Sequence, residues 1–262
     1  MSLSEMSLMK RLFSGVAVAA LAVTLVACSE EKKETAAAPE TSQEAGESAG
    51  STPATAGGTT SETAEAPAAA ATTAKVPEAE GSVDMAEVMK PGALPEMAIG
   101  EESAPVTIVE YMSMTCPHCA AFHNNTFDAI KAKYVDGGKV RFVIREFPFD
   151  PRAAAAFMLA RCAPDGQYFP MVSMLMKQQE TWAAAPDGRE ALLQMSKLAG
   201  FTEDSFKACL TNQKLLDDVN AVRERGAKEF GIAATPTFLV NGKRYSGDMS
   251  VDTMSALIDS LL

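Results

Sequence analysis

Histidine and cysteine are scarce, with two of the former and five of the latter in 262 residues. A structural zinc site wants four nitrogen or sulfur ligands in tetrahedral array. Only Cys116, Cys119 and His123 fall together, as C-x2-C-x3-H on a single helical segment, so the set is one ligand short and badly shaped. An excess of positive charge is missing too. The formal net charge is −11, of which residues 29–80 hold −7 and residues 1–28 hold +1, leaving −5 for residues 81–262. That mildly acidic balance gives no sign of nucleic-acid binding. Long apolar runs are also wanting: residues 12–23 are too few to read as a membrane span. From residue 29 to residue 80 large apolar side chains all but vanish, which leaves nothing to offset the entropy of ordering.

What residues 1–28 do contain is a basic start, Met9-Lys10-Arg11, the apolar run 12–23, and the small-residue stretch Leu25-Val26-Ala27 ending in Cys28. This is the pattern of a secretory signal. Its ending resembles the bacterial lipoprotein signal, in which the cysteine is acylated, so Cys28 is the expected lipidation site. Residues 29–80, rich in Ala, Thr, Glu and Pro, are expected to form a disordered tether between that anchor and a domain spanning residues 81–262.

The chemistry centres on Thr115-Cys116-Pro117-His118-Cys119-Ala120. Residues 106–111 read as a buried strand, and Phe122, Thr126, Ile130 and Tyr134 recur at helical spacing, which puts Cys116 at a strand-to-helix junction. A sulfur there faces unpaired backbone N–H groups and the positive end of the helix dipole. Both favour the thiolate, the form that attacks a disulfide. Pro117 suits the first helical turn. His118 can offer the same sulfur a hydrogen bond or a positive charge, and Cys119, one turn further in, is expected to be the less exposed resolving thiol.

Around this junction the chain alternates in type. Residues 84–89 read as a short helix and residues 90–98 as an extended lead-in; after Asp136-Gly137-Gly138, residues 140–147 form a second strand, and the long connection makes it parallel to the first. Helices follow for about 80 residues: residues 153–163, then 168–180 with Met171, Met174, Leu175 and Gln178 in register, then 191–199 behind a capping box of Asp187 and Glu190, then one capped by Thr202 that ends at Leu210. Residues 213–230 form a longer helix with Leu216, Val219, Val222 and Ala227 on one face, stopped by Gly231. Residues 237–240 and 243–246 read as a hairpin across Asn241-Gly242. Ser250 caps a last helix carrying Met254, Leu257, Ile258 and Leu261.

Taken in order this is βαβ, an all-helical insertion at about 151–211, a long helix, a hairpin and a helix. With Cys116-Pro117-His118-Cys119 after the first strand and Thr235-Pro236 before the hairpin, the chain resembles the DsbA-type thiol:disulfide oxidoreductases of the thioredoxin superfamily. The resemblance covers roughly residues 82–262 and implies an α/β, thioredoxin-like fold. It implies a cis peptide at Thr235-Pro236, lying against the active cysteines and able to pair with an extended substrate peptide. Glu110, six residues before Cys116, falls where the family carries a buried acid, and is a candidate proton acceptor for Cys119; the competing expectation is that it merely pairs with Arg141 or Arg145. Cys162 and Cys209 remain. In an oxidising compartment they are expected to form a structural disulfide, stabilising by roughly 3 to 4 kcal/mol through closure of a long loop.

The expected activity is donation of the Cys116–Cys119 disulfide to reduced or unfolded exported proteins in the periplasm, with no metal and no cofactor beyond the cysteine pair. The resemblance implies reoxidation by a membrane partner of the DsbB type. A disulfide reductase or isomerase is the nearest alternative, since the same atoms run in reverse under a reducing partner; isomerases of this superfamily are usually dimers with an added domain, and residues 29–80 look unable to fold into one, so a monomer is expected. Copper handling, for which Met112 and Met114 are the cue, and an inert binding module stand further off.

Overall fold

The computed structural model describes residues 74–262. The expected signal sequence, Cys28 and residues 29–73 of the expected tether lie outside the described residues. The chain opens with β1 (Gly81–Ser82) and α1 (Met85–Val88), whose first turn is capped by the Asp84 side chain accepting from the Ala86 N–H. β2 (Met97–Ile99) and β3 (Val106–Met112) follow. α2 (Pro117–Phe122) runs on through a π-helical stretch, His123–Phe127, then α3 (Asp128–Ile130), then a second π stretch, Lys131–Val135, every junction residue keeping right-handed helical dihedrals. After β4 (Val140–Glu146) come five helices: α4 (Pro151–Cys162), α5 (Tyr168–Lys177), α6 (Gln179–Ala183), α7 (Gly188–Leu198) and α8 (Glu203–Leu210). α9 (Gln213–Phe230), the strands β5 (Thr237–Val240) and β6 (Lys243–Ser246), and α10 (Val251–Asp259) complete the fold.

The strands form one sheet in the order β1-β6-β5-β3-β4-β2. β3 is central, parallel to β4 and antiparallel to β5. Two short edge strands flank the sheet beyond the expected ones: β1, before α1, pairs with β6, and β2, at the end of the extended lead-in, pairs with β4. Helices cover both faces, and this is why β3 and β4 are buried along almost their whole length. On one face Ile108, Met112, Phe142 and Phe238 pack with Phe122, Phe127 and the helical insertion; on the other Val109, Tyr111, Val143 and Leu239 meet Val88 and Phe230. Side chains alternate along a strand, so Glu110 shares the first face with Ile108 and Met112, beneath α2.

Three local expectations need correction. α9 buries Val219, Val222, Gly226 and Phe230, whereas Ala227 is exposed. Gly226 is the contact because a Cβ there would come within 2.6 Å of the Tyr111 ring. The helix expected over 168–180 breaks at Gln178, whose dihedrals leave the helical range, and restarts as α6. Leu261 lies past the end of α10 and is 41% exposed. The hairpin turn has Asn241 at φ 44° and Gly242 at φ 85°, the left-handed pair that a two-residue turn between twisted strands requires. In the helical insertion Cys162 and Cys209 are disulfide-bonded, with Cα atoms 6.1 Å apart, tying the end of α4 to α8.

Candidate active site

Cys116 is the N-cap of α2. Its extended dihedrals turn the chain into the helix, Pro117 occupies the first helical position, and the Cys116 carbonyl accepts the Ala120 N–H at 3.1 Å. The sulfur is half-buried, while Cys119, one turn on, is fully buried. Across from it the chain carries a cis Thr235-Pro236 peptide, and the Cys116 thiol lies 3.2 Å from the Thr235 carbonyl oxygen, within donating distance. The elements that meet here are the start of the helix after the central strand and the loop leading into β5.

Electrostatics divides the two thiols. Cys116 is lowered from 9.0 to about 5, chiefly because the Cys119 thiol donates a hydrogen bond to its sulfur; the Thr235 side chain and the backbone N–H groups of Cys119 and His118 add to this, and burial opposes it. Cys119 is pushed far up, first by burial, then by the hydrogen bond it gives to Cys116, then by the charge of Glu110. At neutral pH the outer sulfur is an anion and the inner one a thiol. That combination suits attack on, and departure from, a disulfide.

The remaining sequence candidates are placed less as expected. The His118 side chain is 70% exposed and its Nδ1 lies 3.3 Å from Asp248 Oδ1, so in this structure the residue serves Cys116 through its backbone N–H. Glu110 pairs with neither arginine. Glu96 takes both, at 2.6 Å from Arg141 and 2.9 Å from Arg145. The Glu110 partner is His123, whose Nε2 is 2.9 Å from Oε2, and both residues are buried. Among the described residues no group of three or more His, Cys, Asp or Glu is placed to hold a metal ion.

Sequence reasoning missed a third contributor. Gln179, the first residue of α6, donates from Nε2 to the carbonyls of Met114, at 2.8 Å, and Cys116, at 2.9 Å. Nothing local could have announced it, since 63 residues separate it from Cys116. Thr115 makes a second tie to the insertion: its hydroxyl donates to Asp150, whose other carboxylate oxygen caps α4 at the Ala153 N–H. Two grooves border Pro117, one of about 460 Å³ beside Ala120, Asn124 and Met176, the other of about 700 Å³ beside Thr115, Asp150 and Ala183.

A sheet of this order, a CxxC pair opening the helix after its central strand and a cis-proline loop facing the first sulfur define a thioredoxin-like protein. The family model described as Thioredoxin matches residues 93–260, more than half of the chain, and the chain belongs to the thioredoxin family. It is 36% identical over 168 residues to a protein of Rickettsia conorii named as a protein-disulfide oxidoreductase, the match covering 64% of this chain and 60% of that one. A counterpart from Rickettsia typhi is 34% identical over the same length, with 62% of it covered. The matched region thus spans about three fifths of these relatives. Among solved structures, Wolbachia pipientis alpha-DsbA1 superposes with a TM-score of 0.62 at 30% identity, over 67% of this chain and 94% of that one. A protein-disulfide isomerase from Novosphingobium aromaticivorans, at 20% identity and a TM-score of 0.56 over 63% and 97%, shares the fold.

Proposed function

We propose that this chain is a thiol:disulfide oxidoreductase that donates the Cys116–Cys119 disulfide to reduced exported proteins. A substrate thiolate attacks Cys116; the bond to Cys119 breaks and a mixed disulfide forms. The substrate's second thiolate then attacks its own sulfur in that bond, and Cys116 departs as a thiolate. The observation that carries the proposal is the placement of the Cys116 sulfur at the helix start, one turn before the buried Cys119 and beside the cis Thr235-Pro236 peptide, where hydrogen bonds from Cys119 and the helix start lower its pKa to about 5. A sulfur so stable as an anion is a good leaving group, and stabilising the reduced form makes the disulfide a stronger oxidant.

In this reading Thr235 and Pro236 present backbone to an extended substrate segment, and Glu110 exchanges a proton with Cys119. The bonded Cys162–Cys209 pair in the helical insertion fits an oxidising compartment, which for a chain with this signal pattern is the periplasm. Among the described residues no helix is long and apolar enough to cross a membrane. In this reading a lipidated Cys28 attaches the domain to a membrane with residues 29–80 as the tether, a membrane oxidase of the DsbB type reoxidises it, and the domain acts as a monomer. The test is refolding of reduced ribonuclease with the oxidised protein as sole disulfide source. Stoichiometric appearance of activity, with Cys116 and Cys119 recovered as thiols, is expected; failure there combined with efficient reduction of insulin would assign it to the reductases.

A further inference from the structure

The exchange reaction just described leaves one member of the buried pair without a task. Glu110 is 0% exposed and His123 3%, and they touch through Oε2 and Nε2 alone. Glu110 Oε1 and His123 Nδ1 have no partner. A buried polar atom without a hydrogen bond is costly, so its persistence calls for an explanation. The imidazole is packed against Phe122 and Phe127, ring centroids 5.5 and 4.9 Å away. Facing the pair are Cys119 from α2, which feels the Glu110 charge, and the cluster of Glu146 on β4, Arg161 on α4 and Tyr168 on α5, of which Tyr168 also lies within the field of Glu110. β5 brings Phe238 and no charge. Asp128 on α3 is tied to Lys177 at the surface, and Asp259 on α10 to Lys133 and Tyr134 further along the helix.

We propose that His123 is the positioning residue for Glu110, its Nε2–H held on Oε2 so that Oε1 carries the proton Cys119 takes up when the disulfide opens. The inference rests on the exchange reading above. When a substrate thiolate attacks Cys116, the electron pair of the Cys116–Cys119 bond passes to Cys119. A thiolate is poorly tolerated at that buried position, so the sulfur takes the proton from Glu110 Oε1. The negative charge moves to the carboxylate, where the hydrogen bond from Nε2–H stabilises it. Reoxidation returns the proton along the same path. No change of imidazole tautomer is needed in either direction, which accounts for the bare Nδ1.

Only two histidines occur in the full chain, so ¹⁵N-histidine spectra of the intact protein isolate this ring once His118→Asn identifies the other signal. A pyrrole-like Nε2 and a pyridine-like Nδ1 are expected for His123 in both the disulfide and the dithiol forms at neutral pH. The opposite tautomer, or a doubly protonated ring, would place the shared proton on the imidazole side and overturn the proposal. In kinetics, opening of the disulfide by a small thiol should slow at least ~10-fold in His123→Leu and in Glu110→Gln, with the double variant no slower than Glu110→Gln, while His123→Gln, which keeps an N–H donor, recovers most of the rate. A His123→Leu rate equal to wild type, or a further loss on top of Glu110→Gln, contradicts it. Inactivity of the wild-type disulfide toward thiols would instead sink the exchange reading itself.

Discussion

Gln179 spends one amide nitrogen on two backbone carbonyls that flank the first cysteine, Met114 at 2.8 Å and Cys116 at 2.9 Å. The helical insertion thereby fixes the start of α2, on which the geometry around the sulfur depends. Gln179→Ala removes the buried partner of the Met114 carbonyl and leaves the Cys116 carbonyl with the Ala120 N–H alone, so a loss of about 1 to 3 kcal/mol is expected. Urea denaturation reads the stability and thiolate absorbance the sulfur: the Cys116 titration should move upward. An unchanged titration with lost stability would make Gln179 a packing residue only.

Stability of the dithiol form should depend on pH with a definite sign. A thiol depressed from 9.0 to about 5 in the folded state contributes stability that is complete above the unfolded value and is lost as pH falls through about 5. Cys119, shifted the other way, counts against folding only as pH approaches and passes the unfolded value. The disulfide form has neither thiol. The melting temperature of the dithiol form, relative to the disulfide form, is therefore expected to fall between about pH 7 and pH 4. Calorimetry on both forms checks this, and parallel curves would refute it.

Cys162 and Cys209 close a loop with a sequence separation of 47 residues in the insertion. Replacing both with serine should cost about 3 to 4 kcal/mol, seen as a melting temperature lower by roughly 10 °C. The Cys116 titration is expected to stay where it is. If it moves by more than about half a unit, the insertion tunes the active sulfur as well as bracing the fold.

At Gly226 two effects compete. Alanine is the better helix former by up to ~1 kcal/mol, but its Cβ would sit 2.6 Å from the buried Tyr111 ring, and overpacking of that kind costs about 1 to 3 kcal/mol. Gly226→Ala is expected to destabilise by about 1 kcal/mol net in chemical denaturation. A stabilised variant would show that α9 can lift off the sheet freely.

How much of this could be seen in the sequence follows from how local each feature is. The strand and helix around Cys116, the caps at Thr202 and Ser250 and the Asn241-Gly242 turn are written in a few adjacent residues, and the fold keeps them. The edge strands, two and three residues long, are too short to show a period in the sequence. Features made between elements were invisible: the reach of Gln179 across 63 residues, the hold of Glu96 on Arg141 and Arg145, and the turn of His118 toward Asp248. Glu110 and His123 could each be singled out, but only the packing of α2 over β3 shows that they touch. Ala227 fits the apolar spacing of the helix, but close approach of helix and sheet demands the smaller Gly226.

Everything the site does in disulfide exchange turns on the ionisation of one sulfur, that of Cys116. In the reduced full chain, thiolate absorbance followed from about pH 3 to pH 10 should show a first transition near the value of about 5 for Cys116, absent in Cys116→Ser and retained in Cys162→Ser/Cys209→Ser. A first transition at about 8 or above, where an unassisted thiol ionises, would contradict it.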